Sequence, residues 1–237
     1  MNDINTLEAY EKLARSYSEK IDYKPHNAFY DRPNTLSLLP EEIEGKLILD
    51  AGCGPGKYSE ILLTQGATVI GVDLSPKMIE EAMKRNGANG EFMVHDLTQP
   101  LDFADGLFDI IICPLVLEYI LHWRPVFKEF NRILKRRGTF VFSVTHPFFD
   151  YTYFNSTHYF KTEKVSATWT SFGEPIEVES FRRSLTECVA PLIESGFMVD
   201  KILEPRPVKE FEQYDPKHFK ELNEFPAFLC IRAVKAT

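Results

Sequence analysis

Three glycines at alternate positions, Gly52, Gly54 and Gly56, come after a short apolar run, Leu47–Asp50, that ends in a carboxylate. Glycine accepts positive φ and presents no Cβ, so such a turn lets a ligand lie against the backbone. At the end of a first strand it occupies the edge where open α/β sheets bind ligands. A second apolar run, Thr68–Asp73, ends in Asp73, about 20 positions beyond Gly52, the separation at which an acidic residue meets a ribose in such folds. One carboxylate accepts from both ribose hydroxyls, so the two features together fit a nucleoside. A third run, Glu91–His95, brings Asp96 to the same edge. His146 stands just after a later run, Thr139–Thr145, at that edge and is the first candidate for a general base; a histidine that merely bonds a loop is the equal alternative.

Charge separates the candidate ligands. A pyrophosphate favours an uncluttered, positive helix terminus, whereas Asp50 beside the turn can face a cation or an α-amino group. The dinucleotide fingerprint G-x-G-x-x-G also needs its third glycine one position after Gly56, where this chain has Lys57. An NAD-type oxidoreductase is therefore the weaker reading.

These residues need a scaffold, and the apolar rhythm supplies one. Helical spacing of Ile4, Leu7, Tyr10, Leu13, Ala14 and Tyr17 predicts an N-terminal helix, and a short helix is expected over Arg32–Leu39, with Pro33 in its first turn and Pro40 ending it. Strands at Leu47–Asp50, Thr68–Asp73, Glu91–His95, Phe108–Cys113 and Thr139–Thr145 alternate with helices at Lys57–Gln65, Pro76–Arg85 and Val126–Lys135. That alternation indicates βαβ units and a parallel sheet covered on both faces. Residues 147–180 break the rhythm with Phe148, Phe149, Tyr151, Tyr153, Phe154, Tyr159, Phe160 and Trp169, an aromatic insertion expected to form a lid or substrate wall. A helix at Leu185–Ser195, stopped by Gly196, and strands at Phe197–Leu203 and Phe228–Val234 complete the pattern. One domain over residues 1–237 is expected, with residues 1–40 as a helical cap.

Acidic residues number 35 against 27 basic ones, a net charge of −8, so the surface lacks the positive excess that a nucleic-acid backbone demands. The run Lys135-Arg136-Arg137 reads as a solvated helix end. Cys53, Cys113, Cys188 and Cys230 are scattered and form no C-x-x-C, so neither a metal centre nor a disulfide framework is expected. No signal-peptide core or 18-residue apolar stretch occurs, and the chain reads as cytoplasmic with reduced thiols.

From about Tyr10 to Lys235 the chain resembles the class I S-adenosylmethionine-dependent methyltransferase family, in its small-molecule branch of the ubiquinone- and menaquinone-biosynthesis kind. Leu49-Asp50-Ala51-Gly52-Cys53-Gly54-Pro55-Gly56 is similar to the family's first motif and Val72-Asp73-Leu74-Ser75-Pro76-Lys77-Met78 to its second. His95-Asp96-Leu97 is similar to the third, and Phe108–Cys113 through Leu117-Glu118-Tyr119 to the fourth strand and the helix after it. The segment from Arg132 through Gly138 into Phe140–Ser143 resembles the approach to the fifth strand, and Phe225–Ile231 the closing strand.

The resemblance implies a Rossmann-like, doubly wound sheet of seven strands, mostly parallel with a late antiparallel strand. It implies S-adenosylmethionine as cofactor, with the glycines, Cys53 and Asp50 around the methionine part, Asp73 on the ribose, and Leu74 and Met78 against the adenine. Asp96 and Leu97 would meet the adenine, Cys113 would lie near the methyl donor, and Tyr17 and Arg32 of the cap would fold over the cofactor, with Arg32 facing its carboxylate. Tyr30, His146, Phe149, Tyr153 and Trp169 are the expected acceptor-binding residues, and one of Arg182 and Arg183 is a candidate for a substrate acid. The function so implied is O-, N- or C-methylation of a small, aromatic or lipophilic acceptor; a catalytically silent protein that retains the cofactor pocket is the alternative.

Overall fold

The computed structural model describes residues 5–236, which places Ile4 of the expected first helix outside the described residues. The chain opens with α1 (Thr6–Lys20), then a π-helical turn (Asn27–Asp31) that runs directly into α2 (Arg32–Leu36). Next come β1 (Leu47–Ala51), α3 (Lys57–Thr64), β2 (Thr68–Asp73), α4 (Pro76–Asn86), β3 (Glu91–Val94), β4 (Phe108–Pro114), α5 (Trp123–Ile133) and β5 (Leu134–Thr145). The remainder is α6 (Pro147–Tyr153), β6 (Glu163–Trp169), β7 (Ile176–Arg182), α7 (Leu185–Glu194), β8 (Phe197–Leu203), α8 (Phe211–Tyr214), α9 (Pro216–Glu224) and β9 (Phe228–Lys235).

Seven strands form one sheet in the order β3-β2-β1-β4-β5-β9-β8. The pairs among β1 to β5 are parallel, and β9 runs antiparallel to both β5 and β8. This is the doubly wound sheet with a late antiparallel strand that the sequence predicts. Its central strands are buried on both faces, as β4 illustrates. Ile111 and Cys113 point into a core shared with Phe127, Phe130 and Trp123 of α5, while Ile110 and Ile112 point into a second core with Leu62 of α3. A strand covered on both sides needs the unbroken apolar run Phe108–Cys113 rather than alternation.

Local chemistry sets the element ends. Ser75 Oγ accepts from Met78 N at 3.1 Å and Pro76 fills the first turn, so α4 begins where β2 has just delivered Asp73 to the sheet edge. Ser184 caps α7 in the same way. Helix α2 stops at Leu36, three residues before its expected end: Leu38 N and Leu39 N donate to Thr35 O and Leu36 O, three residues back, so the chain tightens into turns ahead of Pro40. Helix α5 starts earlier than expected, at Trp123, whose indole Nε1 donates to Leu117 O at 2.7 Å. Lys135-Arg136-Arg137, expected as a helix end, is exposed but lies in the first part of β5, which begins at Leu134 rather than Thr139, with Arg137 in the left-handed region.

Residues 147–180 hold α6 and a two-stranded antiparallel sheet, β6 with β7. The hairpin is tied to the start of α1: Asn5 N donates to Glu179 Oε2 at 3.0 Å and Glu179 N donates to Asn5 Oδ1 at 3.1 Å. No helix among the described residues is long and apolar enough to cross a membrane.

Phe127 is fully buried between Trp123, Phe140 and Phe142. Phe127→Ala is expected to lower unfolding stability by about 3–5 kcal/mol, read as a drop in urea midpoint at unchanged m-value.

Candidate functional site

A cleft of about 770 Å³ opens along the carboxyl edge of the sheet. Its floor is made by the turn after β1, the ends of β2, β4 and β5, and the segment after β3; its walls come from α1, the β6–β7 hairpin, α6 and α9.

The glycine turn is shaped by contacts on each side. Gly52 has φ +79°, and a Cβ there would lie 2.3 Å from Val116 Cγ2, so the turn packs too closely on the segment after β4 for any side chain. Gly54 has φ +52° and nothing within 4 Å of the place of a Cβ, which leaves bare backbone facing the cleft. Gly56 meets α4 instead: its Cβ would clash with Asn86 Nδ2 at 2.4 Å. Lys57, at the position of the missing fingerprint glycine, is already paired with Asp22 at 3.1 Å and Glu60 at 2.5 Å, so the turn presents no free cation to a pyrophosphate.

Asp73 stands at the end of β2 with both oxygens engaged, Oδ2 accepting from Gly54 N and Oδ1 from Ser75 N, each at 2.9 Å. Burial pushes its carboxyl up, opposed by these backbone bonds. Each carboxylate oxygen has a second lone pair, so the anchored group can still receive a diol. Asp96 accepts from Thr98 N at 2.8 Å and Thr98 Oγ1 at 2.7 Å, both on Oδ1. Arg32 is 6% exposed; its Nη2 donates to Ile21 O at 2.8 Å, while its buried Nε has no partner among the described residues.

The cleft brings together Gly52, Cys53, Gly54, Asp73, Leu74, Asp96, Leu97, Tyr17 and Arg32 with Phe149, Tyr153 and Trp169. Several expected site residues lie elsewhere. Asp50 is buried beneath the turn, where Ser59 Oγ donates to it at 2.6 Å and burial pushes its carboxyl up to about 7. Met78 and Cys113 are fully buried under the floor, and Gly56 packs on α4. Tyr30 is also fully buried; its hydroxyl accepts from Ala227 N at 3.0 Å and so holds the entry to β9 rather than facing an acceptor.

His146 is displaced as a base candidate by its own bonds. Its Nδ1 accepts from Phe148 N at 3.2 Å as the cap of α6, which leaves the proton on Nε2 to donate to Glu204 Oε1 at 3.0 Å. Both ring nitrogens are occupied outside the cleft, and burial lowers its pKa against the pull of Glu204. Arg182 is likewise committed, to Glu163 Oε2 at 2.6 Å, and Arg183 lies over the Trp123 ring at 3.9 Å with Nη2 on Ile120 O.

Other cleft residues carry chemistry that spacing alone did not single out. Glu118, after β4, and Asp150, on α6, are buried carboxyls raised by desolvation to about 8 and about 6. His218 of α9 holds Asp215 Oδ2 with its Nδ1 at 2.5 Å. Lys24 lies 3.8 Å from the centre of the Phe172 ring, and burial lowers its pKa to about 8. Glu118 had a signal, its place directly after the fourth strand; His218 and Lys24 had none, being brought in by tertiary packing.

The methyltransferase domain model matches residues 49–142, the stretch from the end of β1 through β5. An uncharacterized protein of Haemophilus influenzae is 28% identical over 98% of this chain and 94% of its own length. The ubiquinone biosynthesis O-methyltransferase of Actinobacillus pleuropneumoniae is 30% identical over 60% of this chain, and the match spans 66% of that relative. The crystal structure of an S-adenosylmethionine-dependent methyltransferase of Mesorhizobium loti shares the fold, with a TM-score of 0.70 and 24% identity over 91% of this chain and all of that one.

His146→Ala is expected to cost about 1 kcal/mol of stability through the lost cap and to leave S-adenosylhomocysteine affinity unchanged by calorimetry. Because folded Asp50 keeps its proton up to about pH 7 while the unfolded carboxyl releases it near pH 4, its contribution is present at low pH and lost as pH rises through that window. Asp50→Asn is expected to flatten the fall in urea midpoint across that range. The domain match falls on the strands that build the glycine turn, Asp73 and Asp96, and over residues 49–142 the chain is similar to the methyltransferase domain.

Proposed function

We propose that the protein transfers a methyl group from S-adenosylmethionine to a small-molecule acceptor. The observation that carries this reading is the pairing of Asp73, pinned at the end of β2, with bare backbone at Gly54 in one cleft. Asp73 receives the ribose hydroxyls, Asp96 the adenine amino group, and the unpartnered Nε of Arg32 the methionine carboxylate. The donor, when bound, supplies an electrophilic methyl on a sulfonium. The chain's part is to align the acceptor and exclude water, an orientation effect of order 7–11 kcal/mol in favourable cases.

The acceptor side is aromatic. Tyr10 makes edge contacts with Tyr17, Tyr119 and Trp169, joining α1, the segment after β4 and the hairpin into one wall, and Phe149 stacks on Tyr153 one turn along α6, both lining the cleft. Such a lining suits a flat or lipophilic molecule. The likeness to a ubiquinone-biosynthesis O-methyltransferase agrees with an acceptor of that kind.

Calorimetric titration with S-adenosylhomocysteine tests the donor site. Asp73→Ala removes charged hydrogen bonds of about 1.5–3 kcal/mol and is expected to weaken binding about 10- to 150-fold; unchanged affinity overturns the ribose assignment.

A further inference from the structure

The carboxylates at the cleft differ in how they are held. Asp73 and Asp96 accept backbone amides, and Asp31 accepts from Tyr58 at 2.5 Å and Thr35 at 3.1 Å. Asp150 accepts from Thr145 Oγ1 at 2.8 Å. Glu118 is different: it is 7% exposed, and its buried Oε2 has no partner among the described residues.

Its position is as informative as its isolation. Glu118 comes after β4, and Thr145 and Asp150 lie at the end of β5 and just beyond it, so these groups meet at the carboxyl ends of β4 and β5, to one side of the glycine turn. The same three residues bound a second cavity of about 10 Å³, about the space of one water, with Arg183 among its other walls. Arg183 makes no ion pair with either carboxylate, and its Nε is also without a partner among the described residues. The guanidinium therefore stands back, and the Glu118 carboxyl is left for whatever enters the cleft.

We propose that Glu118 is the proton acceptor of the methyl transfer, and that the acceptor molecule arrives with a proton on its nucleophilic atom, as a hydroxyl or an ammonium. This rests on the methyltransferase reading above. In the step, the acceptor's X–H bond breaks and its proton passes to Glu118. The electron pair on X forms the new bond to the methyl carbon, and the electrons of the carbon–sulfur bond stay on sulfur as a neutral thioether. For a hydroxyl, one sulfonium and one carboxylate become two neutral groups, so the reaction discharges a buried ion pair rather than creating one.

The groups facing Glu118 decide its state before the donor arrives. Tyr10 and Tyr17 of α1, Asp31, Asp150 and Cys188 lie around it, with Tyr119 and Cys113 also near, and the partial compensation comes first from its own backbone N–H and then from Arg183. Burial among these groups pushes its carboxyl up to about 8, so it is protonated at neutral pH until a cation enters. A sulfonium supplies that cation and S-adenosylhomocysteine does not.

Calorimetry in phosphate and Tris buffers at pH 7, which differ in ionisation enthalpy, counts the protons released by each ligand. S-adenosylmethionine is expected to release about one more proton per site than S-adenosylhomocysteine. Glu118→Gln is expected to abolish that difference while keeping S-adenosylhomocysteine affinity within about threefold, and Glu118→Asp, which retains a carboxyl, to restore it. Equal proton release by the two ligands in the wild-type protein overturns the proposal and leaves the donor site standing. A difference that persists in Glu118→Gln and disappears in His218→Ala also overturns it, moving the role to the Asp215–His218 pair. Failure of both ligands to bind overturns the methyltransferase reading itself.

Discussion

Gly54 donates its backbone N–H to Asp73 Oδ2 at 2.9 Å, and that bond fixes the turn after β1 over the end of β2. Gly52 N and Cys53 N add to it by donating to Val72 O at 2.7 and 2.9 Å. The turn is therefore an extension of the sheet and not a free loop, which is what a preorganised ligand cradle requires. The glycines make this geometry possible in different ways. A side chain at Gly52 would strike Val116, and one at Gly56 would strike α4, so the turn is clamped between the β4 and α4 sides while Gly54 alone opens toward the cleft.

That division explains why motif reading succeeds for the floor of the site and is less exact for its walls. Strand β2 matches its predicted bounds because the apolar run, the terminal Asp73 and the Ser75 cap all mark the same boundary. The parallel pairing of β1 to β5 agrees with the alternation of buried runs and helices, and the seven strands with β9 as the antiparallel closing strand agree with the family resemblance. Asp50 and Met78 belong to the same motifs as Asp73 and Gly54, yet they face the packed side, since neighbouring positions on a strand or helix point to different faces. A motif locates a segment, and the pleat then decides which of its residues meets the ligand.

The walls depend on contacts between segments far apart in the chain. The insertion over residues 147–180 is legible as aromatic, but its hairpin is held by Asn5 and Glu179, 174 positions apart, a pairing that local pattern does not carry. Helices α8 and α9 are hidden for the same reason: Phe211 and Leu222 complete a small core around Tyr30 that exists only once the π-helical turn and β9 are in place. His146 shows the limit of reasoning from position alone. It stands at the correct edge, but Pro147 starts a helix there, and a residue just ahead of a helix is drawn into capping it.

Electrostatics gives the cleft its character. A buried carboxyl without a cation prefers to remain protonated, so Glu118 and Asp150 are raised while the more exposed Asp109 and Glu129, paired with Lys135 and Arg132, are lowered despite some burial. The cations that could have neutralised the cleft are directed elsewhere: Arg182 to Glu163, Arg183 to the face of Trp123, Lys57 to Asp22 and Glu60. Each of these pairings leaves the carboxyls at the carboxyl ends of β4 and β5 without a cation, which is why they hold their protons more tightly. Such an arrangement costs stability in the empty protein and is recovered when a cation binds, which favours a positively charged ligand over its neutral product at the same place. On the proposed role of Glu118, the cation that draws off its proton is the sulfonium, and the thioether product brings none.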